Sequence, residues 1–232
     1  MRVNREWINI SDLMAGLMMV FLFISIVFMR NVQEDKKAMA EIALEVQKSK
    51  VALNADLNNE FKDDLKKWNA EILADNTVRF KEPDILFARS SHKIKKEFEE
   101  ILRNFFPRYV SILTKPEYKN DINEVRIEGH TSSTGKKGDV TREDSYLYNA
   151  KLSQNRALSV LNEIYMLPEI AVHRDWLEKV IRANGLSFAK LIEINGVEDL
   201  ARSRRVEFRV ITKTEEKIYQ IIEKSNHEVN KI

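Results

Sequence analysis

The sequence predicts an α+β protein with a single N-terminal transmembrane helix, a helical linker and a mixed C-terminal domain. The first observation is an apolar run of 22 residues from Ile8 to Met29. The second is a charged stretch from Asn31 to Asn76 that contains neither Gly nor Pro. The third is the alternation of strand-like and helix-like patterns from Val78 to Thr212, which is long enough to bury one hydrophobic core.

The composition excludes several classes of function. Charged residues make up 32% of the chain, yet the net charge is only +2, so no large basic field indicates a nucleic-acid partner. The chain has no cysteine, which excludes disulfides, cysteine-type zinc sites and thiol nucleophiles. His92, His173 and His227 have no metal partners at ligand spacing. We therefore expect no cofactor, no bound metal and no catalytic residue, that is, no enzyme.

The apolar run is long enough to cross a membrane. At about 1.5 Å per residue, a helix of this length spans the roughly 30 Å hydrocarbon core. The run is too long for the core of a signal peptide and lacks a small-x-small cleavage site, so a retained anchor is predicted. Arg2 and Arg5 precede the run and favour a cytoplasmic N-terminus, although Arg30, Lys36 and Lys37 follow it.

Asp12 is the only ionisable side chain within this run. A carboxylate at the centre of a spanning helix costs about 2.5–3.5 kcal/mol, and less near an end of the helix. Such a residue usually faces a partner helix or a water-filled path, where it carries ions or protons. Ala15 and Gly16 share its helix face and permit close helix contact. The alternative is that Asp12, only one turn inside the run, reaches the membrane interface or caps the helix.

Apolar residues in the charged stretch recur at a spacing near 3.5 residues, with one polar break at Ser49. The stripe consists of Met39, Ile42, Val46, Leu53 and Leu57. It predicts an amphipathic helix that continues from the membrane and either pairs with a second copy or packs on another surface. The segment is also a candidate plug for an ion pore, and a helix alone in solvent is the alternative. A second stripe of Phe61, Leu65, Trp68 and Ile72 leads towards the domain.

Periodicity predicts the elements of the domain. Strands are predicted at 84–87, at 125–128 ending before Gly129, and at 206–210. Helices are predicted through Ile94 to Leu102, with Ser90 or Ser91 as the cap, then at 152–166 and at 176–183.

Three blocks in this segment resemble the signatures of the OmpA-like peptidoglycan-binding domain. They are Ile127-Glu128-Gly129-His130-Thr131, then NAKLSQNRA from Asn149 to Ala157, then RRVEF from Arg204 to Phe208. In family members these read GHTD, N-x-x-L-S-x-x-R-A and N-R-R-V-E, in the same order. The resemblance covers about residues 80–212. It implies a βαβαβ-type core with a shallow groove that binds the peptide stem of the cell wall.

The second block supplies the candidate peptidoglycan-binding residues. Arg156 offers a planar fork that suits a carboxylate. Asn149 can exchange hydrogen bonds with a peptide backbone, and Tyr148 can form an apolar wall with a polar tip. Leu152 and Arg156 lie four residues apart on one helix face, with Asn149 three residues before Leu152. The alternatives are a structural salt bridge for Arg156 and an ordinary core position for Leu152.

Two substitutions depart from the family pattern. Ser132 stands where most members have Asp after GHT, so the carboxylate that usually pairs with the ligand amine is missing. Ser203 replaces the usual Asn before Arg204, and the loop from Ser133 to Leu147 is longer than typical. These differences concern ligand affinity and stem-peptide preference more than the fold.

The whole chain resembles the B subunits of flagellar-type stator units, the MotB family, whose ion-binding aspartate maps onto Asp12. The tract from Ile10 to Phe23 and the GHTSS form at Gly129–Ser133 are closer still to the stator-like subunits of the Zorya anti-phage defence system. The resemblance implies an inner-membrane complex in which two copies of this chain sit inside a ring of five MotA- or ZorA-like subunits. Ion flow, anchoring on peptidoglycan and indirect contact with cytosolic effectors are implied as well. A flagellar stator subunit and a static wall anchor are the alternatives.

These inferences divide the chain into five segments. We expect a cytoplasmic N-terminus at 1–7, the transmembrane helix at 8–29 and a helical linker or plug at 30–77. A periplasmic OmpA-like domain at 78–212 and a helical tail at 213–232 complete the chain.

Overall fold

In the computed structural model, the structure describes residues 3–81, 86–88, 90–135 and 141–213. One compact unit comprises residues 47–214, and residues 1–46 belong to a second. A long apolar helix precedes a mixed domain of helices and strands, so the predicted α+β class is confirmed. The first two residues of the strand predicted at 84–87, and all but the first residue of the predicted tail at 213–232, lie outside the described residues.

The first helix, α1, extends from Val3 to Leu65. The large apolar side chains between Ile10 and Met29 are all more than half exposed, and by length and composition the helix can cross a membrane. It continues without a break because the sequence has neither Pro nor Gly between Asn31 and Asn76. The helical linker was predicted to reach residue 77, but α1 ends at Leu65. The chain turns at Asn69, which has a φ of +46°, and then enters a strand.

Seven strands and five short or medium helices follow α1 in the described part of the domain. They are β1 (Ala70–Ile72), β2 (Val78–Phe80), α2 (Lys96–Leu113), α3 (Pro116–Lys119), β3 (Ile122–His130), α4 (Arg142–Tyr165), α5 (Arg174–Val180), β4 (Ile181–Gly185), β5 (Glu193–Ile194), β6 (Val197–Glu198), α6 (Leu200–Ser203) and β7 (Arg205–Thr212). A 3₁₀ helix, Pro168–His173, precedes α5.

Three predicted boundaries are corrected. The helix predicted from Leu152 begins ten residues earlier, because Thr141 caps it by accepting a hydrogen bond from the Asp144 N–H. No side chain caps α2, since the Ser91 hydroxyl instead accepts from the Lys93 N–H. The helix predicted at 176–183 ends at Val180, and the residues after it pair with β3 as strand β4.

The main sheet has the strand order β1-β2-β7-β3-β4. Strands β3 and β4 are parallel, whereas the other neighbours are antiparallel. Val125 and Ile127 of β3 are fully buried in the hydrophobic core. Because side chains alternate along a strand, Glu128 and His130 share one face of the sheet, opposite to the face of Val125 and Ile127.

The last turns of α1 belong to the hydrophobic core of the domain. Leu53, Leu57 and Phe61 are 3%, 0% and 0% exposed, and the Phe61 ring lies 5.1 Å from that of Phe105, between centroids. Leu53 and Leu57 are therefore unavailable to pair with a second copy, and for this part of the stripe the structure has the second alternative, packing on another surface. Met39 is 42% exposed, so the upper part of the stripe remains open to a partner.

Ion pairs on both sides of this contact join α1 to α2 and to the start of α3. Arg108 donates to a carboxylate oxygen of Glu60 at 2.7 Å and to one of Asp64 at 2.9 Å. The Lys115 ammonium lies 2.7 Å from an oxygen of Asp56, which also accepts from the Tyr118 hydroxyl. The hydrogen bond from Lys115 lowers the pKa of Asp56, so this carboxylate stays ionised through the neutral range.

Helix α4 packs against β3 and β4 closely enough to require glycine at two positions. A Cβ atom on Gly129 would lie 2.3 Å from the carbonyl oxygen of Ser153. A Cβ atom on Gly185 would lie 2.3 Å from the backbone nitrogen of Gln154. Since real Cβ atoms do not approach backbone atoms this closely, any side chain here would push α4 away from the sheet.

We predict that Leu57→Ala destabilises the domain, because it opens a cavity in a fully packed core. The expected loss is about 2–5 kcal/mol of unfolding free energy. Urea unfolding of the full chain in detergent, followed by near-ultraviolet circular dichroism, measures it. Leu44→Ala, on an exposed position of the same helix, is the matched control and should change little. Equal losses in the two variants would contradict the packing of α1 into the domain.

We predict that Gly129→Ala is more damaging than its single added methyl group suggests, because the new Cβ meets backbone that cannot rotate away. The expected destabilisation is about 3 kcal/mol or more, at the upper end for overpacking. The same unfolding measurement tests it. Gly16→Ala, where a Cβ would meet nothing within 4 Å, should leave the domain transition unchanged. A wild-type transition for Gly129→Ala would rule out the close approach.

Candidate functional site

All four residues predicted to line the groove lie on α4. Asn149 and Arg156 are 2% and 6% exposed, whereas Tyr148 and Leu152 are half-buried. The close packing at Gly129 and Gly185 fixes this helix on the sheet, and so it fixes where these side chains emerge.

Arg156 is held by a backbone carbonyl and an aromatic ring. Its Nε donates to the carbonyl oxygen of Ser91 at 2.9 Å, and its guanidinium carbon lies 4.9 Å from the Phe87 ring centroid. Among the residues that the structure describes, its two terminal nitrogens make no hydrogen bond and its side chain makes no ion pair. A guanidinium group has five N–H donors, so these nitrogens can donate to a further group. Whether Arg156 binds a ligand or forms a structural salt bridge stays a prediction.

Arg204 lies close to Arg156 and was not among the predicted site residues. Burial lowers the pKa of Arg156 to about 10, and the positive charge of Arg204 contributes to the lowering, while Tyr148 opposes it. The Arg204 Nε is buried without a hydrogen-bond partner among the residues that the structure describes. Within the described part of the chain, both guanidinium groups have donors without a partner, and such a pair suits a carboxylate. The Arg-Arg pair of the third block was the signal in the sequence.

Asn149 helps to position the turn that follows β3. Its side-chain nitrogen donates to the carbonyl oxygen of Thr134 at 3.1 Å. The hydroxyl groups of Ser132 and Thr134 are hydrogen-bonded to each other, and Ser132 is 2% exposed. Part of the hydrogen-bonding capacity that was predicted for a ligand is therefore used within the protein.

A carboxylate reaches this turn from another part of the chain. The Ser133 N–H donates to one oxygen of Glu198 at 2.9 Å, and the Ser133 hydroxyl donates to the other. Glu198 stands on the hairpin of β5 and β6, whose two turn residues, Asn195 and Gly196, have φ values of +53° and +78°. An Asn-Gly pair between apolar residues is a strong hairpin signal, and it was available in the sequence.

Asp12 lies on the membrane-length part of α1 and is exposed, as are its neighbours on the helix face. Ala15 and Gly16 lie three and four positions after it, and a Cβ on Gly16 would meet nothing within 4 Å. A helix face of this kind leaves room for close contact with another helix.

Comparison with known proteins identifies the family. Residues 86–172 match the OmpA family. The chain is 43% identical over 222 residues to the Zorya protein ZorB of Escherichia coli, and this similarity covers 95% of the chain and 93% of that protein. The chain belongs to the ZorB family. The resemblance derived from the Asp12 tract and the three blocks is thereby confirmed.

Two solved structures are similar to this member of the ZorB family. The cell wall anchor of the type VI secretion system from Pseudomonas aeruginosa is 24% identical, with a TM-score of 0.45, and covers 67% of this chain and 96% of its own. A MotB-like protein from Desulfovibrio vulgaris is 17% identical, with a TM-score of 0.49, and covers 71% of this chain and 94% of its own.

Proposed function

We propose that the chain is a stator-like subunit of an anti-phage defence complex in the bacterial inner membrane. Ion flow through Asp12 drives rotation of a surrounding ring of ZorA-like subunits, while the C-terminal domain binds peptidoglycan. The 43% identity to a Zorya protein along nearly the whole chain is the observation that carries this proposal, and it favours defence over a flagellar role.

The ion-carrying role rests on the position of Asp12. It is the only ionisable group in an apolar helix segment whose described side chains are exposed, so lipid or neighbouring subunits must cover them. A proton, or another cation, neutralises the carboxylate and lets its helix pass a neighbouring subunit. Moving one charge through 100 mV supplies about 2.3 kcal/mol, which is comparable to the cost of placing such a carboxylate in the membrane.

The anchoring role rests on the two neighbouring guanidinium groups. Arg156 and Arg204 bind a carboxylate of the peptide stem, with Tyr148 and Leu152 as the apolar wall and Asn149 holding the turn beside them. Glu198 brings a carboxylate to the turn that carries Ser132 in place of Asp, and so supplies negative charge for a stem amine. Anchoring keeps this chain from turning with the ring.

The assembly that we propose contains two copies of this chain and five ZorA-like subunits. The N-terminus faces the cytoplasm and the domain faces the periplasm. Cytosolic defence effectors respond to rotation of the ring and do not bind this chain directly. The segment 30–46 is the part of the linker that pairs the two copies or plugs the pore, because the apolar residues further along α1 are buried in the domain of the same chain.

We predict that Asp12→Asn abolishes protection against phage while the complex still assembles. The amide is nearly isosteric but cannot gain and lose a charge, so only ion transfer is lost. Phage plating with the complete system measures protection, and the yield of detergent-purified complex measures assembly. Glu45→Gln, the same chemical change on an exposed site outside the apolar run, should keep full protection. A protective Asp12→Asn variant would leave the static anchor as the better proposal.

We predict that Arg156→Gln and Arg204→Gln each weaken binding to peptidoglycan about tenfold or more, because each removes a charge-assisted hydrogen bond to the ligand. Co-sedimentation of the full chain in detergent with purified peptidoglycan measures the binding. Arg103→Gln is the matched control, since this arginine pairs with Glu163 on an exposed surface. Wild-type sedimentation of both site variants, with the domain folded, would refute the proposed groove.

A further inference from the structure

Three buried ionisable side chains converge on the sheet face opposite Val125 and Ile127. Glu128 and His130 are two residues apart on β3, so they lie on the same face. Glu207 of β7 is the direct cross-strand partner of Glu128. The three side chains offer ligand atoms that all lie within 4.8 Å of one another.

All three groups are buried, and in the described part of the chain two of them have side-chain atoms without a hydrogen-bond partner. The side chains of Glu128, His130 and Glu207 are 2%, 0% and 6% exposed. Both ring nitrogens of His130 and the Oε2 atom of Glu128 have no hydrogen-bond partner among the described residues. Each such group costs about 1–3 kcal/mol when it is left unpaired in the interior. A bound cation would remove this penalty.

The distances from His130 to the two carboxylates are close to those between ligands of a tetrahedral metal ion. His130 Nε2 lies 3.4 Å from Glu207 Oε2 and 3.6 Å from Glu128 Oε2. Zinc–nitrogen and zinc–oxygen bonds of about 2.0–2.1 Å place tetrahedral ligands roughly 3.3–3.4 Å apart. One imidazole and two carboxylates are also a ligand set that zinc and related ions accept, with the fourth position left to water.

Arg79, Arg205 and Lys190 surround the cluster, and they leave Oε2 of Glu207 and Oε2 of Glu128 accessible to a bound ion. Arg79 and Arg205 both donate to Oε1 of Glu207, at 2.7 and 2.6 Å, so Oε2 stays available and is held in place. Arg79 also pairs with Glu71, which balances part of its charge. The Lys190 ammonium is 3.8 Å from Oε2 of Glu128, but this side chain is 49% exposed and can turn into solvent. Lys190 therefore competes with a bound cation and does not block it.

We propose that Glu128, His130 and Glu207 bind one divalent transition-metal ion of the zinc class. The ion joins β3 to β7 immediately before Thr131 and Ser132, and so it stiffens the turn beside the groove. The spacing of histidines along the sequence gave no sign of such a site, because Glu207 reaches it only through the pairing of β3 with β7. The inference does not depend on the role of Asp12 or on peptidoglycan binding.

The test is metal titration of the full chain, stripped with a chelator and kept in detergent. Isothermal titration calorimetry with Zn²⁺ should give one equivalent bound, and Co²⁺ should give the visible absorption of a four-coordinate ion. Glu128→Gln, which is nearly isosteric, should weaken binding by more than the 10–100-fold that loss of an outer-shell partner typically costs. Circular dichroism establishes that this variant is folded.

Two further variants make the outcome specific. His92→Gln removes an exposed histidine elsewhere and should leave the bound equivalent unchanged. Lys190→Gln removes the competing ammonium and should tighten Zn²⁺ binding roughly 1.5- to 5-fold, the range for a partly exposed charge pair. Absence of binding to the folded wild-type chain, or equal binding by wild type and Glu128→Gln, would overturn the proposal.

Discussion

The contact between α4 and the sheet is the constraint on which the rest of the domain depends. At Gly129 and Gly185 the helix approaches so closely that no side chain fits between helix and strand. Two hydrogen bonds fix the register of this contact. The Ser187 N–H donates to the Ser153 hydroxyl at 2.9 Å, and the Gly185 N–H donates to the side-chain oxygen of Gln154 at 2.7 Å. Because α4 can neither slide nor lift, the side chains on its neighbouring turns have fixed positions.

The two faces of the sheet have different chemistry as a result. One face is apolar and packs against helices, with Phe208 in contact with several aromatic rings of α2. The other carries Arg79, Glu128 and Glu207 in a charged cluster that is buried or nearly so. Buried charges are tolerated only where partners compensate them. The groups without partners among the described residues, on this face and at Arg156 and Arg204, are the places where we propose that the domain binds ligands.

The end of α1 is part of the domain and not a free tether. Leu57 and Phe61 are fully buried in its core, and Arg108 and Lys115 hold the charged side of the helix. Residues 47–65 consequently share the stability of the domain, whereas residues up to 46 belong to the other unit. The part of the stripe that can meet a second copy is correspondingly shorter than periodicity alone indicates.

The sequence by itself determined the class of fold, the membrane-length apolar helix and the family. An apolar run with one aspartate, Gly129-His130-Thr131 and the NAKLSQNRA block are local patterns, and each depends only on residues next to one another. The tertiary structure decided which apolar residues of α1 face the domain, because a helical stripe does not reveal what covers it. It also decided that Arg156 lies near Arg204 and that Glu198 approaches Ser133. The contact of Glu128 and His130 with Glu207 was decided by the tertiary structure as well. Each of these depends on strand order or on a hairpin that joins residues far apart in the chain, and periodicity carries no information about such contacts.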